Sequence, residues 1–419
     1  MALIRSELYD RALRLIPGGV NSRARAMRSV GLGEPLFMRR GEGPFIEDVA
    51  GNRYVDWVMS WGPLLFGHAD PATLAAVTEA LGRGTTFGAP TEGEVDLAAE
   101  IVDAVPSVEM VRLVSSGTEA AMSAVRLARA ATSRDRLIKF AGNYHGHVDA
   151  LLASGGSGLM TLGIPSTPGV PSGVAADTIV LPYNDIDAVA AAVAEYGEGL
   201  AAILVEPVAG NMGVVPPAPG FLEALRLLCD ACGALLVFDE VITGFRVARG
   251  GAQERYGVMP DLTILGKIVG GGLPAAAFGG RADVMGRLAP VGDVYQAGTL
   301  SGNPLAVAAG ISVLRRLRDP GVYEALERRG ARLEAGLEPF GTVQRVGAML
   351  TLFCRDGPVR DYDDAVRSDT ERYASLFRHM LARGIYVAPS QFECMFVSLA
   401  HGDDEIDRTI EAVGDFFGN

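Results

Sequence analysis

The chain uses lysine only twice. Lys139 and Lys267 stand among 37 basic residues, and every other one is arginine. Arginine stays protonated and is a poor amine nucleophile, whereas lysine can lose its proton and form a Schiff base with a carbonyl. A lysine kept in so arginine-biased a chain points to a task that arginine cannot do. Lys267 follows Gly266 directly after the apolar run 262-LTIL-265. Beyond such strand ends, open parallel sheets bind their ligands. A free lysine has a pKa of about 10.4, so burial or neighbouring cations must lower it before it attacks a carbonyl. A phosphate-binding P-loop is the other use of a Gly-Lys pair. Its pattern fails here, because Asp261 and Ile268 occupy the positions that need glycine and Ser or Thr.

Two more strand ends carry polar residues. After 110-MVRLV-114 come Ser115, Ser116, Gly117 and Thr118, opening a helical run. Free backbone N–H groups, small hydroxyls and a helix dipole make a cup for a phosphate there. The same residues also suit a plain helix N-cap. After 234-ALLVF-238 come Asp239 and Glu240. A carboxylate at that place either caps a turn or pairs with a cation. A phosphate cup, a carboxylate and a lysine at three neighbouring strand ends match the phosphate, the pyridine nitrogen and the aldehyde of pyridoxal phosphate. An acid beside the ring nitrogen keeps it protonated, so that the ring can draw electrons from a substrate carbanion.

These residues need a scaffold. Strands are expected at 110–114, 136–140, 201–205, 234–238 and 262–265, with helices between several of them. The alternation predicts an α/β fold with a largely parallel sheet and helices on both faces. The last hundred residues, with long Arg/Glu/Leu helices around 310–335 and 366–383, predict a smaller α+β domain. Residues 153–173 are rich in Gly, Ser and Pro, and a loop that long inside a compact domain is expected to act as a lid.

The chain has 419 residues, 49% of them hydrophobic, which suits two or three domains with a large core. No run approaches the roughly 18 apolar residues of a membrane span, and the opening residues lack the order of a signal peptide. The net charge of −13 argues against a nucleic-acid partner. Four scattered cysteines are expected to be reduced, which places the protein in the cytoplasm. Cys229 and Cys232 form a CxxC late in a helical run, where a redox-active pair would need a helix N-terminus. His145 and His147 have the spacing of a metal pair but lack a third ligand, so no metal is expected.

A family resemblance joins these features. The segments 239-DEVITGFR-246 and 262-LTILGKIVGGGLP-274 resemble the signature of class III aminotransferases, which implies a fold-type I pyridoxal-phosphate architecture. Further segments resemble the glutamate-1-semialdehyde aminomutase family: 17-PGGVNS-22, 60-SWGPLLFGHADP-71, 112-RLVSSGTEAAMSAVRLAR-129, 142-GNYHGHVD-149, 205-VEPVAGNMGVVPP-217, 292-GDVYQAGTLSGNP-304 and 388-APSQFE-393. The resemblance spans nearly the whole chain in order. It implies an N-terminal segment (1–65) joining the small domain, a large cofactor domain (66–310) and a C-terminal small domain (311–419).

By the same resemblance, Lys267 would carry the cofactor and shuttle the proton. Asp239 would meet the ring nitrogen, and Val241 would lie under the ring. Ser116, Gly117 and Thr118 would hold the phosphate, Tyr144 would stack on the ring beside His145, and Asn211 would lie near the ring oxygen. Thr299 would reach the phosphate of a partner subunit, implying a homodimer with shared sites. Ser22, Arg25, Trp61 and Glu393 would surround the substrate, and Ser157 falls in the gating segment. The sequence has 20-VNSRARAM-27 where the family usually has a proline and a valine before the arginine. Both Arg23 and Arg25 could therefore meet a substrate carboxylate, and register favours Arg25. The implied reaction is an isomerisation of glutamate-1-semialdehyde to 5-aminolevulinate via 4,5-diaminovalerate, for tetrapyrrole (porphyrin) biosynthesis, the cofactor cycling with its pyridoxamine form. A class III ω-aminotransferase with separate amino donor and acceptor would share every cofactor residue.

Overall fold

The computed structural model of the chain describes residues 6–154, 161–162 and 164–418. Its centre is an eight-stranded sheet ordered Met110–Val114, Ala276–Gly280, Leu262–Leu265, Leu235–Asp239, Leu200–Val205, Arg136–Phe140, Thr178–Leu181 and Thr161–Leu162. The five strands from Leu262–Leu265 to Thr178–Leu181 pair in parallel, with Val237 opposite Leu262 and Val205 opposite Phe238. Ala276–Gly280 is antiparallel to both its neighbours, so Met110–Val114 points the same way as the parallel set. Six strands thus deliver their carboxyl ends to one edge.

Side-chain alternation explains why both faces are covered. Successive residues of a strand point to opposite faces. Ala202, Leu204, Leu235 and Val237 join one core with Ala120, Ala124, Leu127 and Ala128 of the Gly117–Thr132 helix. Ile203, Val205, Leu236 and Phe238 join another with Val189 and with Phe221, Leu222 and Leu225 of the Phe221–Cys232 helix. A strand buried on both faces reads as an unbroken apolar run, as 200-LAAILV-205 does.

The Ala276–Gly280 strand gives no such signal in its sequence, AAFGG. A β-carbon on Gly280 would lie 2.1 Å from the Asp261 carbonyl oxygen, and one on Gly279 would lie 2.6 Å from that of Met110. Close approach to both neighbouring backbones is what requires glycine here.

The rest of the chain builds two smaller sheets. Met38–Glu42, Phe45–Asp48 and Arg53–Asp56 form an antiparallel meander that pairs in parallel with Ile385–Tyr386. Thr342–Val346, Met349–Phe353 and Met395–Phe396 form the other. Val55 and Trp57 share a core with Leu333, Leu350, Phe377 and Ile406 from the later helices and strands. Trp57 Nε1 donates to Thr409 Oγ1 at 2.9 Å, and its ring stacks on His401 at 4.0 Å. Of the Gly-rich stretch, Ala153–Ser154 pairs with Ile164–Pro165 and Thr161–Leu162 with Thr178–Leu181, while Ser157 lies outside the described residues. No helix among the described residues is long and apolar enough to cross a membrane.

Candidate active site

The carboxyl edge of the large sheet gathers the residues that matter. The Leu235–Asp239 strand ends on Asp239, which is buried, and Asp239 Oδ2 lies 2.7 Å from His145 Nδ1. Asp239 Oδ1 accepts the Val241 N–H at 3.1 Å, which turns the chain sharply after the strand. Burial lowers the pKa of His145, against the pull of Asp239. A neutral His145 therefore donates its Nδ1 proton to Asp239 and orients that carboxylate. His145 Nε2 is buried without a hydrogen-bond partner among the described residues.

Lys267 begins one strand over, after Leu265 and Gly266. Its backbone takes φ +48°, a left-handed setting that a side-chain-bearing residue adopts at a cost of order 1–3 kcal/mol. Burial depresses its pKa, opposed by the charges of Glu393, Cys394, Glu206 and Asp239. Glu393 is itself pushed up to about 7 by burial, with Lys267 opposing the shift. Burial thus disfavours the charged form of both groups, as a lysine that must act as an amine requires.

The Gly117–Thr132 helix starts at the same edge. Ser116 is its N-cap: its hydroxyl accepts the Glu119 N–H at 3.2 Å, and Glu119 reaches back to the Ser115 and Ser116 N–H groups at 2.6 and 3.2 Å. Both expected roles of this segment are therefore compatible in part. The Ser116 hydroxyl serves the cap, while the first-turn amides of Gly117 and Thr118 lie outside the helix's own hydrogen-bond ladder. Thr118 Oγ1 sits 3.2 Å from His147 Nδ1, so the two histidines of 142-GNYHGHVD-149 face different partners. Val241 links the cup to the lysine. β-carbons on Gly117 and Gly266 would stand 3.4 and 3.3 Å from its methyl groups.

Glu206 is the residue that sequence reasoning missed. It is buried at the end of the Leu200–Val205 strand and accepts the Tyr144 N–H at 2.6 Å, the Gly210 N–H at 2.8 Å and Asn211 Nδ2 at 2.9 Å. It fixes Tyr144, the chain neighbour of His145, together with Gly210 and Asn211. Burial, then Asp239, raises its pKa to about 7. The strand-end rule that picked out Asp239 and Lys267 applies equally here. Lys139, the other lysine, is buried in the Arg136–Phe140 strand and donates to the Leu151 carbonyl at 3.0 Å.

The substrate-side candidates are more dispersed. Ser22, Arg23 and Arg25 are exposed in and before a short 3-10 turn, and Thr299 is exposed ahead of the Pro304–Arg316 helix. Arg25 lies close enough to Tyr386 to oppose the rise in that phenol's pKa. Trp61 is half-buried in a turn where Met59, Ser60 and Trp61 take φ of 45°, 59° and 68° in succession.

The arrangement fits pyridoxal phosphate by its donor set. It offers an oriented carboxyl group for a ring nitrogen, unladdered helix amides for a phosphate, an aliphatic ledge in Val241 and a depressed amine. The model of the class-III aminotransferase family matches residues 28–416. A glutamate-1-semialdehyde 2,1-aminomutase of Roseiflexus castenholzii is 59% identical over 99% of this chain and 97% of its own. Among solved structures, an omega-transaminase from Sphaerobacter thermophilus superposes with a TM-score of 0.92 at 35% identity, covering 98% of this chain and 96% of its own. A glutamate-1-semialdehyde-aminomutase from Pseudomonas aeruginosa PAO1 gives 0.88 at 27%, covering 98% and 93%.

Proposed function

Because the chain belongs to the class-III aminotransferase family, we propose that it isomerises glutamate-1-semialdehyde to 5-aminolevulinate, by an intramolecular amino transfer through 4,5-diaminovalerate. The observation that carries this is the 59% identity, over nearly the whole chain, to an aminomutase, in a chain with Lys267, Asp239 and the Gly117–Thr132 helix start at one sheet edge. The product is a precursor of tetrapyrroles, and the enzyme depends on pyridoxal phosphate.

When bound, pyridoxal phosphate supplies an electron sink for the carbon that loses a proton, and its amine form exchanges nitrogen with the substrate. The chain's own residues do the rest. Lys267 Nζ, its charged form disfavoured by burial, is the carbonyl-reactive amine and then the base that takes and returns a proton. Asp239 holds a proton on the ring nitrogen, and His145 keeps that carboxylate in place. The Gly117 and Thr118 amides would hold the phosphate, with Ser116 shaping the helix start. Val241 would support the ring. Glu206 fixes Asn211 and Tyr144, which would flank it.

On the substrate side, Arg25 receives the carboxylate, in preference to Arg23. Ser22 and Trp61 line the approach, and Glu393, whose charge interacts with that of Lys267, closes the pocket. Thr299 serves the site of a second copy. Exposed Val291, Tyr295 and Leu300 around it, at 84%, 73% and 54% exposure, support a surface that a partner covers. Four cysteines without disulfides suit a reducing cytoplasm.

The likeness to an omega-transaminase raises a second reading, in which amino donor and acceptor are separate molecules. Competition for nitrogen decides between them. Adding an amino-acid donor and a 2-oxo-acid acceptor should leave the rate of 5-aminolevulinate formation unchanged. A rate that climbs with donor concentration would establish the aminotransferase instead.

A further inference from the structure

Arg246 is among the most deeply buried charged side chains of the molecule, at 2% exposure. It closes the segment 239-DEVITGFR-246, six residues after the Asp239-Glu240 pair begins to turn away from the sheet edge. Its guanidinium NH2 donates to the Gly62 carbonyl, and its plane lies over the Phe396 ring at 4.7 Å. Its Nε and NH1 have no hydrogen-bond partner among the described residues. A cation held in the interior by one carbonyl and one ring is expensive to bury, since an arginine cannot shed its charge. Stability alone gives no reason to keep it there.

What it grips is a strained turn. Met59, Ser60 and Trp61 are successive non-glycine residues with positive φ, and Gly62 follows at φ +112°. Left-handed backbone in three such residues persists only where surroundings impose it. A β-carbon on Gly62 would come 3.3 Å from Arg246 NH2 and 3.2 Å from Phe396, so the turn is pressed directly onto the guanidinium and the ring. Met59 packs in one cluster with Ile242, Cys394 and Phe396. In the chain Ile242 adjoins Val241, and Cys394 adjoins Glu393. Just beyond the turn, Leu64 would stand 2.9 Å from a β-carbon on Gly272, in the loop that follows Lys267. The turn is therefore packed between the ledge under the ring site, the Glu393 segment and the lysine loop.

We propose that Arg246 is a positioning residue for the reaction: by clamping the Gly62 carbonyl beneath the Phe396 ring, it holds the left-handed 59–62 turn so that Trp61 faces the substrate pocket. This rests on the reading of Trp61 as a substrate-side residue. Arg246 itself touches neither the reacting atoms nor the Asp239–His145 pair.

The test compares Arg246→Met, Arg246→Lys and Trp61→Phe as cofactor-loaded enzymes. The two tryptophans differ in access, Trp57 being 0% exposed and Trp61 half-buried, so acrylamide quenching reads Trp61. Arg246→Met is expected to keep the visible band of the bound cofactor, to become more quenchable, and to raise KM for glutamate-1-semialdehyde about tenfold or more with a smaller change in kcat. Arg246→Lys keeps the charge and one donor, and should fall between Met and the parent on both readouts. If Arg246→Met folds, loads cofactor and shows parental quenching or parental KM, the proposal is overturned. If it fails to fold, parental KM and quenching in Arg246→Lys with parental stability would overturn it as well. Trp61→Phe separates the two layers. A parental KM in that variant removes Trp61 from the substrate pocket and the positioning role with it, while the quenching result still reports whether the clamp exists.

Discussion

At Lys267 the amine must lose a proton that lysines ordinarily keep, and its setting works toward that. Burial depresses its pKa, while the carboxylates facing it are themselves buried and, in Glu393 and Glu206, pushed up to about 7. An acid raised this far is partly protonated near neutral pH and stabilises the charge of Lys267 less than a fully ionised one would. Lys267→Arg keeps the cation and removes the nucleophile. We expect a loss of activity of about 1,000-fold or more, together with loss of the visible band of lysine-bound cofactor. Turnover near the parental rate would refute the role given to Lys267. This residue was legible in the sequence because lysine is so scarce and because it follows an apolar run. Asp239 was legible by the same strand-end logic. Glu206 was not singled out, although it ends the neighbouring strand, because its task shows only in the groups it holds: two backbone amides and a side-chain amide brought from four and five residues away or from another loop.

The Gly117–Thr132 helix shows how one element can serve a fold and a site at once. Ser116 and Glu119 close a capping box, so the hydroxyl that a phosphate reading would claim is already engaged. Ser116→Ala should therefore lower the stability of the cofactor-free protein by about 1 kcal/mol, and Ser116→Gly by only a few tenths. Denaturant unfolding of the apo forms measures this. Equal stability of parent and alanine variant would contradict the cap. The helix itself was legible from its acidic first turn, as were the parallel strands from their apolar runs. The antiparallel Ala276–Gly280 strand was not, since only Phe278 in AAFGG favours a strand and the glycines follow from backbone crowding against Asp261 and Met110. Arg246 lay in plain view inside a quoted motif. Only the positive φ values of residues 59–61, a tertiary fact, give it a purpose.

Across the whole molecule, the early strands and the last helices are joined through a buried histidine. His401 stacks on Trp57, faces the Asp56 carbonyl with Nε2 at 3.0 Å and accepts the Ser398 N–H on Nδ1 at 3.0 Å. The neutral Nε2–H tautomer satisfies both contacts, and a proton on Nδ1 would break the second. Burial, helped by Arg329 and His68 and opposed by the Asp56 carbonyl, lowers its pKa from 6.5 to about 3. A depressed pKa gives stability that is complete above the unfolded value and is lost as pH falls toward the folded one. Between pH 7 and pH 5 this single group should cost the fold about 2 kcal/mol. The pH dependence of unfolding in His401→Gln should be flatter by that amount, and an unchanged slope would reject the assignment. The central claim concerns chemistry on one molecule without a second substrate, and it is most directly tested by incubating the cofactor-loaded enzyme with glutamate-1-semialdehyde alone. The account predicts 5-aminolevulinate formation sustained over many turnovers above the uncatalysed background. A stop after one turnover, relieved only by a separate amino donor, would contradict it.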